Sequence, residues 1–210
     1  MAETEQRART GADVLREIGV VAIPRAVDQR ICSGLIRDMS ASASAATTMI
    51  SERTMERELM PSFARSTTVE GSPLAQATIE LVLAFHRPRL EEFFQAPLDW
   101  NREIHFLTYN EGDFIVPHCD VVDGEGVLGK VRERLALFSI FLNGRGSPPD
   151  ETFAGGEFVL HPSPERDLAV TCQAGTLIAF KSNLVHSVRP IVKGVRHSVA
   201  GWFRAGPAEA

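Results

Sequence analysis

The rhythm of apolar and polar positions changes near residue 100 of the chain. Before that point apolar residues recur mostly at helical spacing; after it they come in short runs broken by Gly, Pro, Asn and Asp. "IGVVAIPRAV" (18–27) predicts a short strand. "VDQRICSGLIRDMS" (27–40) predicts a helix with Val27, Ile31, Leu35 and Met39 on one face and Asp28 as its N-cap. "PLAQATIELVLAFHRPRLEEFFQ" (73–95) opens with Pro in the first turn and keeps helical spacing, with Pro88 expected to bend or divide it. The Ser/Thr-rich segment between these helices, residues 42–72, has no clean period and is expected to be irregular.

The second half reads as strands: "EIHFLTYNEG", "DFIVPHCDVV", "RLALFSIFLN", "GGEFVLHP", "DLAVTCQAG", "TLIAFKSNLVHSV" and "RHSVAGWF" are rich in β-branched and aromatic residues. Closely spaced strands with turn residues between them predict a sandwich or jelly-roll, an α+β but mainly β fold whose N-terminal helices brace one face. A length of 210 residues suits one domain, 1–210, with a mostly helical support region over 1–100 and the β core over 101–205.

Composition narrows the function classes. A net charge of −5 gives no basic footprint for nucleic acid. No apolar run approaches the roughly 20 residues of a membrane span, and the charged N-terminus has no secretory core, so a cytoplasmic location is expected. Cys32, Cys119 and Cys172 are far apart and form no CxxC pair, which disfavours both a disulfide framework and a cysteine-based zinc site.

The chemistry concentrates in "PHCD". In a strand His118 and Asp120 share a face while Cys119 points the other way. A third ligand has to come from another strand, and "NLVHSV" offers His186 within an apolar run. Two histidines and a carboxylate make the facial triad of non-haem Fe(II), which leaves coordination positions open. Each of these residues taken alone is more ordinarily a hydrogen-bonded strand residue. Zinc hydrolases also use two histidines and a carboxylate, but the helical HExxH signature is absent. Ten residues beyond His186 stands Arg196, with Ser198 on the same side. The Pro190 and Gly194 region suits a turn that folds these two strands back antiparallel and brings Arg196 toward the metal face, where its guanidinium fork suits a carboxylate.

The order of "YNEGDFIVPHCD", "FAGGEF", "AGTLIAF" and "HSVRPIVKGVRHSVAGWF" over roughly residues 102–204 resembles the 2-oxoglutarate and Fe(II)-dependent dioxygenases, specifically the prolyl 4-hydroxylase-like branch. The resemblance implies a double-stranded β-helix core. It implies Fe(II) held by His118, Asp120 and His186, and 2-oxoglutarate and O2 as co-substrates. Arg196 would receive the far carboxylate of 2-oxoglutarate, assisted by Ser198 and by the Tyr109 hydroxyl. Asp120 occupies the position where related halogenases carry a small residue, so hydroxylation of an unactivated C–H bond, with release of succinate and CO2, is the expected reaction.

A small molecule, such as an amino acid or biosynthetic intermediate, is the expected substrate. A peptidyl or prolyl hydroxylase acting on protein is the second reading, and a metal- or ligand-binding jelly-roll without turnover is a third. The oligomeric state has no signature. His161 in "HPSP" reads as a loop residue rather than a ligand, and His105 as either pocket-lining or packed. Arg132 and Arg134 read as the solvated start of a strand in preference to a substrate-carboxylate site at the barrel mouth. The loops at 122–133 and 144–156, with the segment near 45–73, are expected to frame the substrate entrance.

Overall fold

A computed structural model describes residues 11–50, 57–120, 134–144, 153–171 and 173–206. Its helices are α1 (Gly11–Glu17), α2 (Gln29–Ala41) and α3 (Pro73–Phe94). The strands of the first half are β1 (Val20–Ile23), β2 (Ser44–Ala46), β3 (Met49–Ile50), β4 (Arg57–Glu58), β5 (Ala64–Arg65) and β6 (Thr67–Val69). Those of the second half are β7 (Leu98–Tyr109), β8 (Phe114–His118), β9 (Arg134–Phe141), β10 (Phe153–Gly155), β11 (Phe158–Ser163), β12 (Arg166–Val170), β13 (Leu177–Lys181), β14 (Val185–Val188), β15 (Ile191–Gly194) and β16 (Arg196–Ala205).

Two antiparallel sheets face each other. The larger runs β1-β13-β9-β16-β7-β6-β2, the smaller β12-β11-β14-β8-β5, and β10 pairs with β15 at one end. This is the expected mainly-β jelly-roll with helices on one side. The large sheet is covered on both faces, which explains why "RLALFSIF" is nearly continuous in apolar residues rather than alternating. Ala136, Phe138 and Ile140 of β9 join the helix-side core, whereas Leu137 and Phe141 enter the core between the sheets.

Asp28 caps α2 as expected, accepting a hydrogen bond from the Arg30 amide at 2.8 Å. The buried face differs from the expected one. Cys32, Leu35 and Met39 are inside and Ile31 is 42% exposed, because the helix begins at Gln29 and Val27 is buried ahead of it rather than on it. Helix α3 starts at the Ser72 cap with Pro73 in its first turn and stays one helix through Pro88. Pro88 lies on the exposed face, where the carbonyl it leaves unpaired is open to water. Ala75, Ile79, Leu83 and Leu90 pack onto the large sheet. Leu83 is fully buried, so Leu83→Ala is expected to destabilise the protein by about 2–5 kcal/mol, as checked by denaturant unfolding.

The segment after α2 corrects the expectation of an irregular stretch. β2 and β6 extend the large sheet beside β7, and β5 edges the small sheet beside β8. Strands of two or three residues are too short to show a period of two, and the Ser/Thr side chains satisfy one another, as in the Ser66–Thr47 and Thr47–Thr68 hydroxyl pairs at 2.9 and 3.0 Å.

Candidate active site

β8 and β14 lie side by side in the small sheet, and His118 and His186 are direct cross-strand partners. Residues paired in this way project from the same face with close Cβ atoms, so the two imidazoles sit with centroids 4.3 Å apart. Asp120 lies two residues past the end of β8. Its amide donates to the Ser182 carbonyl at 2.9 Å, which carries the strand's alternation one step further and leaves Cys119 exposed on the opposite side. Ligand atoms of His118, Asp120 and His186 all lie within 4.8 Å of one another. Asp120 Oδ2 is 3.4 Å from His186 Nε2. That oxygen is buried and accepts no hydrogen bond.

Each imidazole is oriented by its own strand. His118 Nδ1 lies 2.9 Å from the Val116 carbonyl and His186 Nδ1 lies 3.0 Å from the Leu184 carbonyl. A carbonyl only accepts, so Nδ1 carries a proton in both rings, which leaves Nε2 as the nitrogen that would face a metal. Burial pushes His186 down to about 4, against the pull of the Asp120 carboxylate, and the ring is neutral near pH 7. Two imidazole Nε2 atoms and a carboxylate with a buried oxygen that accepts no hydrogen bond fit a divalent cation of the Fe(II) type.

Arg196 lies deeper between the sheets and is 2% exposed. Its Nε and Nη1 have no hydrogen-bond partner. The guanidinium carbon stands 5.0 Å from the Tyr109 ring, 5.4 Å from Phe141 and 5.9 Å from Phe158. Phe158 in turn stacks on His186 with centroids 5.6 Å apart, so one ring lies beside both the guanidinium and an imidazole of the triad. A buried cation with open donors among aromatic rings requires an anion, and a carboxylate fits its fork. Tyr109 is the cross-strand partner of Arg196 and is itself buried. Burial raises its phenol above the ordinary value, keeping the hydroxyl protonated, and the Ser66 side chain hydrogen-bonds to it. Ser198 is buried on the same face of β16, 2% exposed.

The route from His186 to Arg196 differs from the expected fold-back. β14 pairs with β11 and β8, whereas β16 pairs with β9 and β7, so the two strands face each other from opposite sheets rather than hydrogen-bonding. β15 bridges them, ending at Gly194 with φ +77°, a conformation suited to glycine.

At the other end, Arg134 corrects the reading of a solvated strand start. Its side chain is 7% exposed, pairs with Glu103 at 3.2 Å, and lies 3.6 Å above the Trp202 ring, whose edge also meets His105. Trp202 shares a rung with Leu137, the neighbour of Phe180, and Phe180 meets the His186 ring at 5.0 Å. One row of side chains, Trp202, Leu137 and Phe180, thus runs across the large sheet from Arg134 toward the His186 ring. Ser182 was not singled out by sequence. It is 1% exposed with an unpartnered hydroxyl, and it links the two features by accepting from the Asp120 amide and donating its own amide to the Leu135 carbonyl at 3.1 Å. His161 is on β11 rather than in a loop, held by Asp167 at 2.7 Å and Ser187 at 2.9 Å, and it is not among the grouped ligands. Arg132, Cys172, the loop 122–133 and most of 144–156 lie outside the described residues.

Residues 104–204 match the model of the 2OG-Fe(II) oxygenase superfamily. A PKHD-type hydroxylase of Maricaulis maris is 31% identical over 97 residues, covering 46% of this chain and 39% of the relative, so the match spans about two fifths of that protein's length. Among solved structures, a 2OG-Fe(II) oxygenase family oxidoreductase from Burkholderia pseudomallei superposes with a TM-score of 0.65 at 18% identity, covering 95% of this chain and 92% of its own. A prolyl hydroxylase from Trichoplax adhaerens, in complex with a hypoxia inducible factor oxygen degradation domain peptide fragment, gives 0.64 at 14% identity, covering 92% and 87%. These structural likenesses bear on the fold, which is that of the jelly-roll oxygenases. The family model matches just under half of the chain, residues 104–204, and over that stretch the sequence is similar to the 2OG-Fe(II) oxygenase superfamily.

Proposed function

We propose that this protein is a 2-oxoglutarate- and O2-dependent non-haem Fe(II) hydroxylase acting on an unactivated C–H bond of a small molecule. The observation that carries the reading is a pair of opposite charges between the sheets, each with buried polar atoms that make no hydrogen bond: Asp120 Oδ2 beside two imidazoles, and Nε and Nη1 of Arg196 beyond Phe158. His118, Asp120 and His186 hold the iron. Arg196 takes the far carboxylate of 2-oxoglutarate, with the protonated Tyr109 hydroxyl and Ser198 beside it.

Bound iron supplies O2 activation coupled to decarboxylation of 2-oxoglutarate to succinate and CO2, with one oxygen atom delivered to the substrate carbon. The chain's own work is placement. The triad fixes one face of the metal, Arg196 sets how deep the co-substrate lies, and Phe141, Phe158 and Phe180 keep water from the reacting atoms. Arg134 and Glu103, paired at 3.2 Å beside the Trp202 ring, would offer complementary charges to the carboxylate and ammonium of an amino-acid-like substrate.

Succinate release is expected with a pool of free amino acids and related small zwitterions under Fe(II), 2-oxoglutarate and O2. Arg134→Ala is expected to raise the substrate KM roughly tenfold or more, the scale of a lost charged hydrogen bond of about 1.5–3 kcal/mol, with 2-oxoglutarate affinity unchanged. A second reading, hydroxylation of a peptidyl side chain, is favoured by the peptide held by the Trichoplax adhaerens neighbour. Turnover with peptide pools and none with free amino acids would replace the first reading by the second.

A further inference from the structure

We propose that Asn143 is a positioning residue for the co-substrate, acting through Arg196. This rests on the reading of Arg196 as the carboxylate anchor. Asn143 lies two residues beyond the end of β9 and is 3% exposed. Its Nδ2 donates to the Val195 carbonyl at 2.7 Å, and its Oδ1 accepts from the His197 amide at 2.8 Å. The two peptide groups that it grips flank Arg196.

The ladder between β9 and β16 has its last residue pair at Phe141 and Ser198, and its last main-chain bond runs from the Leu142 amide to the His197 carbonyl at 3.0 Å. At the next step the side-chain amide of Asn143 takes the place of a strand, with one donor and one acceptor at peptide-edge spacing. On the other edge of β16, Arg196 is paired with Tyr109 of β7. In a strand the main-chain groups point sideways and the side chain stands perpendicular to them. Fixing the peptides before and after Arg196 therefore fixes the direction in which its side chain leaves the sheet. A guanidinium fork meets a carboxylate through two parallel hydrogen bonds, a geometry that tolerates only about 0.5 Å and 10–20° of error. Aspartate keeps the acceptor for His197 and loses the donor for Val195; leucine loses both.

The test is a double-mutant cycle on the full chain: Asn143→Leu, Arg196→Lys and the pair together, with Asn143→Asp as the milder variant should the leucine form fail to fold. Two affinities are measured anaerobically, Fe(II) alone by competition with a chelating dye and 2-oxoglutarate on the iron-loaded protein by its visible chelate band. Asn143→Leu is expected to weaken 2-oxoglutarate roughly 10–100-fold, the usual scale for loss of a supporting partner, with Fe(II) affinity within about twofold of the parent. In the Arg196→Lys background the same substitution is expected to change 2-oxoglutarate affinity little, because the fork it aims is gone. Unchanged co-substrate affinity in Asn143→Leu or Asn143→Asp, or equal losses in both backgrounds, overturns the positioning role and leaves the anchor reading standing. Unchanged affinity in Arg196→Met, which removes the cation that lysine would keep, overturns the anchor reading and the positioning role together.

Discussion

Replacing His186 with alanine is expected to reduce iron-dependent succinate release to background while the protein stays folded. The ring is one of the three grouped candidate ligands and meets His118, Phe158 and Phe180. Losing a direct ligand exceeds the roughly 10–100-fold that loss of an outer hydrogen-bond partner costs in metal affinity. The cost to folding is smaller. The imidazole is held neutral by burial and lies apart from the helix-side core, so a destabilisation on the order of 1–3 kcal/mol is expected. Anaerobic titration with Fe(II) and 2-oxoglutarate, read by the chelate band beside a circular dichroism melt, checks both halves. A full-strength band in His186→Ala would remove this residue from the ligand set.

Arg196→Met is expected to act in opposite directions on binding and on stability. If Arg196 is the anchor, binding of 2-oxoglutarate should weaken by about 2–5 kcal/mol, which is roughly 30-fold to several thousand-fold, because one carboxylate would lose a charged partner that is 2% exposed. The protein without co-substrate should melt at a higher temperature. Burying a charge costs several kcal/mol, and the three aromatic rings near the guanidinium return about 0.5–2 kcal/mol each. Two of its nitrogens have no partner to offset the rest. Methionine fills similar space with no charge to desolvate. Calorimetry with and without 2-oxoglutarate checks both signs, and a lower melting temperature for the free variant would mean that the cation is compensated by its surroundings.

How much of this was legible in the sequence follows from the range of each interaction. His118 and Asp120 share a face by strand parity, and His186 stands out as a polar residue in an apolar run, so the triad could be read from local pattern. The ten-residue spacing to Arg196 was equally plain. The geometry joining them was not, since nothing local says that β14 and β16 belong to opposite sheets. Arg134 read as solvated because its burial depends on Trp202, 68 residues later in the chain. Asn143 and Ser182 carry no periodic signal: each matters through main-chain groups of distant strands. β2, β5 and β6 are defined by their neighbours rather than by their own composition.

Each histidine of the triad donates its Nδ1 proton to the carbonyl two residues earlier in the chain. That acceptor is a main-chain oxygen, which no side-chain substitution removes. In sites where a carboxylate side chain holds the ring, one point mutation can release the tautomer; here the same choice is written into the backbone of β8 and of the turn entering β14. A saturation library around the triad should therefore be tolerant at Val116 and Leu184 so long as the strands persist. Sequence drift around the triad can change the side chains that line it without disturbing the Nδ1 protons of His118 and His186.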